Sequence, residues 1–363
     1  MDSLDAPAEA FSPTPTDGVS IILPNYNGCD LLKLYLQFVV DAAGRSRVPV
    51  EIIVADDCSS DESVEYVRTA HPQVTLLESE SNCGFGENCN RAARASRYSR
   101  LLFLNTDMKV EPDFVDPLID ALDASPDMFA VSCKIVEEHP ETGAVHVGFN
   151  YGYFKRGVIH PQAIRLSLDN PADDRIRPIL WACGGAMLCD RTKFFELGGF
   201  DPIYSPFYWE DTDLSYQAWK RGWKVHYVPA SVVHHKQRGT IVRFNQSERI
   251  EAIMERNRLL FMMKNVTDPG RVAAFALHYA FRVVARRRLK ELGLTSRGPK
   301  ALPISTEQRR TVSTTRRRLN AVRKLTDAEV LQLFTASKQE LVDADQRLST
   351  DRARKTMSGK SSR

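Results

Sequence analysis

The sequence lacks a long hydrophobic run, a basic amino terminus and an even set of cysteines. No apolar stretch approaches the roughly 20 residues that span a bilayer, and Asp2, Asp5 and Glu9 lie where a signal peptide would be basic. Both absences predict a protein of the cytoplasm. The seven cysteines all precede residue 190, and their odd number favours reduced thiols over a disulfide framework.

The net charge of +3 conceals two unlike parts of the chain. Residues 282–363 carry 21 Lys and Arg against 8 Asp and Glu, a net charge of +13, so residues 1–281 carry −10. A length of 363 residues suits one large domain with an appendage, or two domains. The asymmetry predicts an acidic body and a basic carboxyl-terminal part with a different role.

Strand and helix patterns alternate through the first 137 residues. Short apolar runs predict buried strands at 19–24, 51–56, 74–77, 101–105 and 129–135, and helical patterns separate them. Such alternation predicts an α/β fold, with a mostly parallel sheet and helices on both faces. Shorter extended pieces follow at 138–178, then a strand at 181–189, and helices are predicted at 248–264, 271–290 and 327–342.

Acidic residues follow three of the predicted strands. They are Asp56 and Asp57, Asp107, and the group Glu210, Asp211 and Asp213. In open α/β sheets the carboxyl ends of the strands are where ligands bind, so these carboxylates are candidates for a metal site or a general base. Each cluster also has a simpler interpretation as a turn, a helix cap or the first turn of a helix.

Seven segments, taken together, resemble a known family. In order they read VSIILPNYNG, EIIVADDCSSDES, NCGFGENCN, LLFLNTDM, GGAML, GGFDPIYSPFYWEDTDLSYQAWKRGWKV and VVHHK. In this order and spacing the chain resembles family 2 glycosyltransferases with the GT-A fold over residues 19–264. The likeness is strongest to bacterial rhamnosyltransferase-like members that build cell-surface polysaccharide.

Composition and the resemblance together divide the chain. Residues 1–18 have almost nothing to bury and are expected to be disordered. The resemblance implies that 19–240 form a GT-A catalytic domain, the fold of nucleotide-diphospho-sugar transferases, with 19–137 as the nucleotide-binding half and 138–240 as the acceptor-side half. From their own helical and basic patterns, residues 241–300 are expected to form a helical extension, and 301–363 a basic tail that is partly helical or disordered.

The resemblance also implies which residues hold the donor. These donor-binding positions are Pro24, Tyr26, Asn27, Asp57, Asn82, Gly84, Asn90, Asn105 and Arg256. A carboxylate such as Asp57 can accept a hydrogen bond from the imide N–H of a base, and glycine lets backbone donors approach a ligand closely. Arg256 has an equally simple interpretation as an arginine on a helix surface.

The implied metal ligands are Asp107 and His234, with Mg²⁺ or Mn²⁺ as the ion. Asp107 matches the last carboxylate of the Asp-x-Asp motif of the family, whose first position is Asn105 here, and Asn105 can offer only a neutral oxygen. His234 matches the histidine that completes the site in many members. His235 is an adjacent alternative, and imidazole suits Mn²⁺ better than Mg²⁺.

The implied catalytic residues are Asp211, as the base that deprotonates the acceptor hydroxyl, and Glu210, which would orient the acceptor. One base and one displacement invert the configuration at the anomeric carbon. Gly184, Gly185 and Trp209 would line the acceptor side. Trp209 would stack on a sugar face, with core packing as the alternative.

The resemblance thus implies an inverting, metal-dependent hexosyltransferase that moves a sugar from a nucleoside diphosphate sugar to a saccharide or lipid-linked acceptor. The basic carboxyl-terminal helices would contact an anionic membrane at its cytoplasmic face, or else pack on the catalytic domain or on a partner subunit. Nucleic acid is not the expected partner. Two alternatives stay open: a sugar nucleotidyltransferase, although NYNG lacks the Lys or Arg of a triphosphate loop, and a catalytically silent scaffold whose basic tail binds membrane or nucleic acid.

Overall fold

The computed structural model describes residues 15–139, 143–235, 247–291 and 302–360. Residues 1–14 of the predicted disordered segment lie outside this range. The first strand begins at Thr16, three residues before the first apolar residue of the VSIILP run.

One large mixed sheet organises the described chain. In chain order the described strands are β1 (Thr16–Asn25), β2 (Val50–Asp56), β3 (Thr75–Glu78), β4 (Tyr98–Leu104), β5 (Met108–Val110), β6 (Met128–His139), β7 (Gly143–Val147), β8 (Asn150–Lys155), β9 (Val158–Ala163), β10 (Leu166–Ser167), β11 (Arg177–Pro178), β12 (Ala186–Asp190) and β13 (Lys224–His235). Strands β8 and β9 form a separate hairpin, and the others belong to the large sheet. Strands β3, β2, β1 and β4 lie in that order and are parallel. Strand β12 then enters antiparallel between β4 and β6, and β13 pairs in parallel with β6.

Helices cover both faces of this sheet. In chain order they are α1 (Cys29–Ala43), α2 (Ser63–Ala70), α3 (Phe85–Ala95), α4 (Val115–Asp123), α5 (Arg191–Leu197), α6 (Glu210–Lys220), α7 (Ser247–Asn265), α8 (Pro269–Glu291), α9 (Thr306–Val322), α10 (Asp327–Gln332) and α11 (Thr335–Lys360). The apolar residues of β1 and β4 alternate between two buried clusters, one on each face of the sheet. This confirms the predicted α/β architecture.

Two predicted elements differ from the structure. The strand expected at 181–189 begins only at Ala186, because Gly184 and Gly185 lie in a turn ahead of it. The helix expected at 327–342 is broken between Gln332 and Thr335, and its second part continues to Lys360.

The carboxyl-terminal helices pack against α6 through a buried ion pair. Lys220 Nζ, at the end of α6, lies 2.8 Å from Asp327 Oδ1, and both side chains are fully buried. Asp327 also accepts from the Tyr216 hydroxyl and from the backbone N–H groups of Thr267 and Asp268. Four donors thus surround this carboxylate, which offsets the cost of burying its charge.

No helix in the described ranges is both long enough and apolar enough to cross a bilayer.

The buried pair yields a stability prediction. Asp327→Ala should lower the free energy of unfolding by about 3 to 5 kcal/mol, because it leaves the Lys220 ammonium buried without its counter-ion. Urea denaturation would measure the change. The matched control is Glu62→Ala, which breaks the exposed Lys33–Glu62 pair and should cost less than about 1 kcal/mol. Equal losses in the two variants would contradict a structural role for the Asp327 cluster.

Candidate active site

The end of β1 and the start of α1 form one wall of the candidate site. Asn25 Nδ2 donates to Asp56 Oδ2 at 2.9 Å, at the neighbouring end of β2. Asn27 has a left-handed backbone, with φ of 49°, and its side-chain oxygen accepts from the N–H of Ser60 at 2.7 Å. Pro24 and the partly buried Tyr26 flank Asn25 on this wall. The carboxyl ends of β1 and β2 are therefore joined by side-chain hydrogen bonds.

Asp57 organises the glycine loop that follows β3. Its two carboxylate oxygens accept from the backbone N–H groups of Cys83, at 2.8 Å, and Gly84, at 2.9 Å. Gly84 has φ of 85°, and a Cβ there would lie 3.0 Å from the carbonyl oxygen of Pro206, so the loop can lie this close only as glycine. The exposed Asn82 borders the same loop. The structure thus assigns Asp57 a loop-holding role that the sequence did not suggest.

Asn90 does not lie at the donor site. Its side chain is buried and exchanges two hydrogen bonds with the backbone of Phe200, through N–H to Oδ1 at 2.9 Å and Nδ2 to O at 2.7 Å. This corrects its assignment as a donor-binding residue. Asn90 instead ties α3 to the turn that follows α5.

The metal-site prediction needs a second correction. His235 Nε2 lies 3.3 Å from Asp107 Oδ2, whereas His234 turns away and pairs with Glu111 at 2.6 Å. Adjacent residues of a strand face opposite sides. In the β13–β5 register His235 lies opposite the buried Met108, and His234 opposite the exposed Lys109. His235 is therefore the histidine beside Asp107.

Asp107 and His235 fit a divalent cation as partial ligands. Asp107 is buried, and its Oδ1 has no hydrogen-bond partner among the described residues. Burial by itself would lower the pKa of His235, but its contacts with Asp107 and Glu137 raise that pKa to about 9. No set of three or more metal-ligating side chains converges in the described ranges, so an ion here would take further ligands from a diphosphate and water.

Two adjacent glycines connect the Asp107 region to Asp211. The N–H of Gly184 donates to Asp211 Oδ2 at 3.0 Å. The carbonyl of Gly185 accepts from the N–H of Asn105 at 2.9 Å, and a Cβ on Gly185 would lie only 2.4 Å from the Asn105 amide nitrogen. These contacts bring together Asn105, Asp107 and Asp211, which are far apart in the sequence.

Glu210 and Asp211 begin α6, and their surroundings differ. Asp211 accepts from the N–H of Gly184 and, at 2.6 Å, from that of Thr212, whereas Glu210 Oε2 is buried and has no partner among the described residues. Burial raises the pKa of Asp211, while those N–H donors oppose the rise. Burial and the Asp211 charge raise the pKa of Glu210 to about 8. Asp211 is thus the member of the pair whose negative charge is stabilised by hydrogen bonds.

Asp213, the third acid of this cluster, has a structural role. Its side chain is buried, and Lys264 Nζ lies 2.7 Å from Oδ2. The Tyr204 hydroxyl and the Asn265 amide donate to Oδ1. The carboxylate is therefore fully engaged in joining α6 to α7.

Trp209 belongs to the core, which corrects its assignment to a sugar-stacking position. Only 8% of its surface is exposed, and its ring lies 5.1 Å from that of Phe261. Tyr208 is half-buried, and burial together with the charges of Glu210, Asp211 and Asp107 raises its pKa. Tyr208 and Trp209 have φ of 70° and 82°, and this strained pair sets the direction in which α6 begins.

Helix α7 holds the strained segment in place. The fully buried Asn257 donates through Nδ2 to the carbonyls of Tyr204, Phe207 and Tyr208, at 2.7, 3.0 and 2.8 Å. Arg256 donates to the carbonyl of Ser205 and to the side chain of Asn257. Arg256 thus helps Asn257 to hold the strained segment in place. Sequence reasoning missed Asn257, and only its place beside Arg256 marked it.

Comparisons with known proteins agree with this geometry. Residues 20–171 match the sequence model described as "Glycosyl transferase family 2". An N-acetylglucosaminyl-diphospho-decaprenol L-rhamnosyltransferase of Mycobacterium tuberculosis is 28% identical over 246 residues, or 62% of this chain and 78% of the relative. Human polypeptide N-acetylgalactosaminyltransferase 10 is 25% identical over 231 residues, or 60% of this chain and 37% of that protein.

A solved structure shares the fold. The crystal structure of GalNAc-T7 with UDP, GalNAc and Mn²⁺ has a TM-score of 0.59 and 18% sequence identity, covering 85% of this chain and 55% of that chain. This chain therefore spans about half the length of that solved chain. The likeness confirms the predicted GT-A fold.

The contact between Gly185 and Asn105 can be tested by adding one methyl group. Gly185→Ala should lower the free energy of unfolding by about 1 to 3 kcal/mol, because the new Cβ overlaps the Asn105 side chain. The matched control is Gly270→Ala in α8, where a Cβ meets nothing within 4 Å. Equal stability of the two variants in urea denaturation would contradict the close packing of Gly185 against Asn105.

The raised pKa of Glu210 predicts a pH-dependent stability. Because the folded-state pKa is about 8 against an ordinary 4.5, protonated Glu210 favours folding, and this contribution is lost as the pH rises between those values. Relative to Glu210→Gln, the wild type should therefore lose on the order of 5 kcal/mol across this window. Urea denaturation of both proteins at several pH values measures the difference. A difference that does not change with pH would contradict the assignment.

Proposed function

We propose that this chain is a family 2 glycosyltransferase, because residues 20–171 match the sequence model of that family. It would transfer a hexosyl group from a nucleoside diphosphate sugar to a saccharide or lipid-linked acceptor, with inversion. The observation that carries the proposal is the placement of Asp211. The Gly184–Gly185 pair holds this hydrogen-bonded carboxylate on the Asn105–Asp107 side of the sheet. The proposed base, Asp211, and the proposed diphosphate-binding region around Asn105 and Asp107 would then face the same space.

The reaction would be a single displacement. Asp211 takes the proton from the acceptor hydroxyl while that oxygen attacks the anomeric carbon. The bond from that carbon to the diphosphate oxygen breaks with its electron pair, and the nucleoside diphosphate leaves. Because the attack comes from the side opposite the leaving group, one displacement inverts the anomeric configuration.

Glu210 has a distinct part in this scheme. At neutral pH it is protonated, so its hydroxyl can donate to an acceptor oxygen without adding a second negative charge beside Asp211. The half-buried Tyr208 lies near these acids and is the aromatic residue available to contact a sugar ring.

The donor would lie along the carboxyl ends of β1 and β2. Asn27 with its neighbours Pro24 and Tyr26, the exposed Asn82 and the glycine loop anchored by Asp57 line this wall. The relative in the solved structure binds UDP, which supports a nucleoside diphosphate at the corresponding edge. Asn105, next to Asp107, would face the diphosphate.

Asp107 and His235 would hold the divalent cation. When bound, Mg²⁺ or Mn²⁺ neutralises charge on the diphosphate of the departing nucleotide. The solved relative contains Mn²⁺, and the imidazole of His235 suits Mn²⁺ better than Mg²⁺.

The acceptor is proposed from the mycobacterial relative, whose name specifies a sugar carried on a lipid diphosphate. By this analogy the product would enter cell-surface polysaccharide, and the protein would act in the cytoplasm.

The base assignment is tested by Asp211→Asn. This variant should keep donor affinity within about twofold while transfer falls by at least about 100-fold, because it removes the proton acceptor and little else. Calorimetry of donor binding and a nucleotide-release assay measure the two quantities. Asp213→Asn is the contrasting variant on the same helix, and it should lose stability because the buried Lys264 loses one of its two counter-ions, Asp201 being the other. Near-normal turnover by Asp211→Asn would remove Asp211 from its role.

The choice between the two histidines is tested separately. His235→Ala should weaken Mn²⁺-dependent binding of a nucleoside diphosphate about tenfold or more, because the ion loses a ligand beside Asp107. His234→Ala should change it little, since His234 faces Glu111. Thermal-shift titrations of UDP and GDP, with Mn²⁺ or with EDTA, measure the affinities. The opposite ranking of the two variants would restore the original assignment of His234.

A further inference from the structure

Helix α8 presents its apolar residues to solvent. Its exposed face consists of Ala273, Ala276, Leu277, Ala280, Phe281 and Val284. Leu277 and Phe281 are 73% and 71% exposed, and Val284 is 57% exposed. For three turns this solvent-facing face has no charged side chain, whereas ordinary surface helices place polar residues there.

The inner face of α8 carries both polar and apolar contacts. Arg282 pairs with Glu255 of α7 at 2.6 Å, the partly buried Arg271 pairs with Asp268, and Val272 and Phe275 pack against the core. The exposed face is thus a second apolar face, in a position where a surface helix usually carries charges. The sequence of α8 then continues with Arg286, Arg287, Arg288 and Lys290.

A groove of about 260 Å³ lies beside this face. Leu259, Tyr279, Val283 and Ile304 contribute its apolar lining, and Glu255, Arg282 and Arg309 contribute its charged lining. Glu255 is already paired with Arg258 and Arg282, whereas no carboxylate pairs with Arg309 among the described residues. Apolar surface next to positive charge without a counter-ion suits a ligand that is itself apolar with an anionic head.

We propose that this face of α8 is a docking surface for an anionic lipid bilayer, with Leu277, Phe281 and Val284 inserted among the headgroups. The arginines that follow Val284 would contact lipid phosphates. The surface is α8 itself and not the more distal basic helices, because α9 and α10 pack on the domain through Val312, Leu319 and Val330, all of which are buried.

Charge favours a bilayer over a second copy of the chain. A second copy would bring the same positive segment, and like charges oppose association when they lie close together. An anionic headgroup layer offers the complementary charge along the whole length of the helix.

The docking surface also relates to the proposed acceptor. Helix α7 contacts the strained Tyr204–Tyr208 segment through Asn257, and it lines the groove through Glu255 and Leu259. A bilayer at α8 would thus lie one helix away from the acids of the site. Membrane docking goes beyond the proposed reaction, and its test uses neither donor nor acceptor.

Flotation of the full chain with lipid vesicles tests the proposal. The chain should bind phosphatidylcholine vesicles that contain phosphatidylglycerol and bind pure phosphatidylcholine vesicles much more weakly. Phe281→Glu should weaken binding about tenfold or more, because it removes an inserted apolar group and adds repulsion. The triple variant Arg286→Ala, Arg287→Ala and Arg288→Ala should weaken it about 100-fold, at about fivefold for each arginine.

The matched control is Leu34→Glu on α1, where Leu34 is 48% exposed and no arginine cluster follows. It should bind vesicles like the wild type, and circular dichroism should show that all the variants are folded. Absence of binding, equal binding to both kinds of vesicle, or unchanged binding by Phe281→Glu would overturn the proposal. So would light scattering showing a dimer that Phe281→Glu converts to a monomer without any vesicle binding, since the face would then be an interface between copies.

Discussion

The candidate site depends on two adjacent glycines at the start of β12. Gly184 donates its N–H to the Asp211 carboxylate, and Gly185 leaves room for the Asn105 side chain beside Asp107. One turn thus sets the distance between the proposed base and the diphosphate region. A side chain at Gly185 would push β4 and the 181–185 turn apart. The turn can set this distance because β12 lies next to β4 in the sheet. Two parts of the chain that are about 80 residues apart in sequence therefore meet at the turn.

Two buried ion pairs fix the position of α6. Asp213 pairs with Lys264 of α7, and Lys220 pairs with Asp327 of α10, so both pairs join α6 to later helices of the chain. Pairs of this kind are costly to form and more costly to break, so they define one arrangement of α6 and of the acids at its start. The strained backbone of Tyr208 and Trp209 is maintained because Asn257 binds three carbonyls around it.

Much of the fold follows from local pattern. Apolar runs between turn residues identified the strands β1, β2, β4 and β6, and the alternation of strand and helix gave the parallel half of the sheet. The site was harder to predict than the fold, because the spacing of residues in a sequence does not determine which way a side chain points. His234 and His235 are equivalent by motif, and only the register of β13 against β5 selects His235. Trp209, Asn90 and Asp213 have the residue types of a sugar site, yet long-range packing places them in the core.

The central claim is that a single carboxylate, Asp211, drives one displacement at the anomeric carbon. The most direct test is the anomeric configuration of the first product. Proton NMR of the product, formed from a nucleoside diphosphate sugar that the protein accepts, reports that configuration, because the anomeric carbon of a new glycosidic bond does not mutarotate. The account predicts that an α-linked donor gives a β-linked product, or a β-linked donor an α-linked one. A product that keeps the configuration of its donor would require a different mechanism and would contradict the role assigned to Asp211.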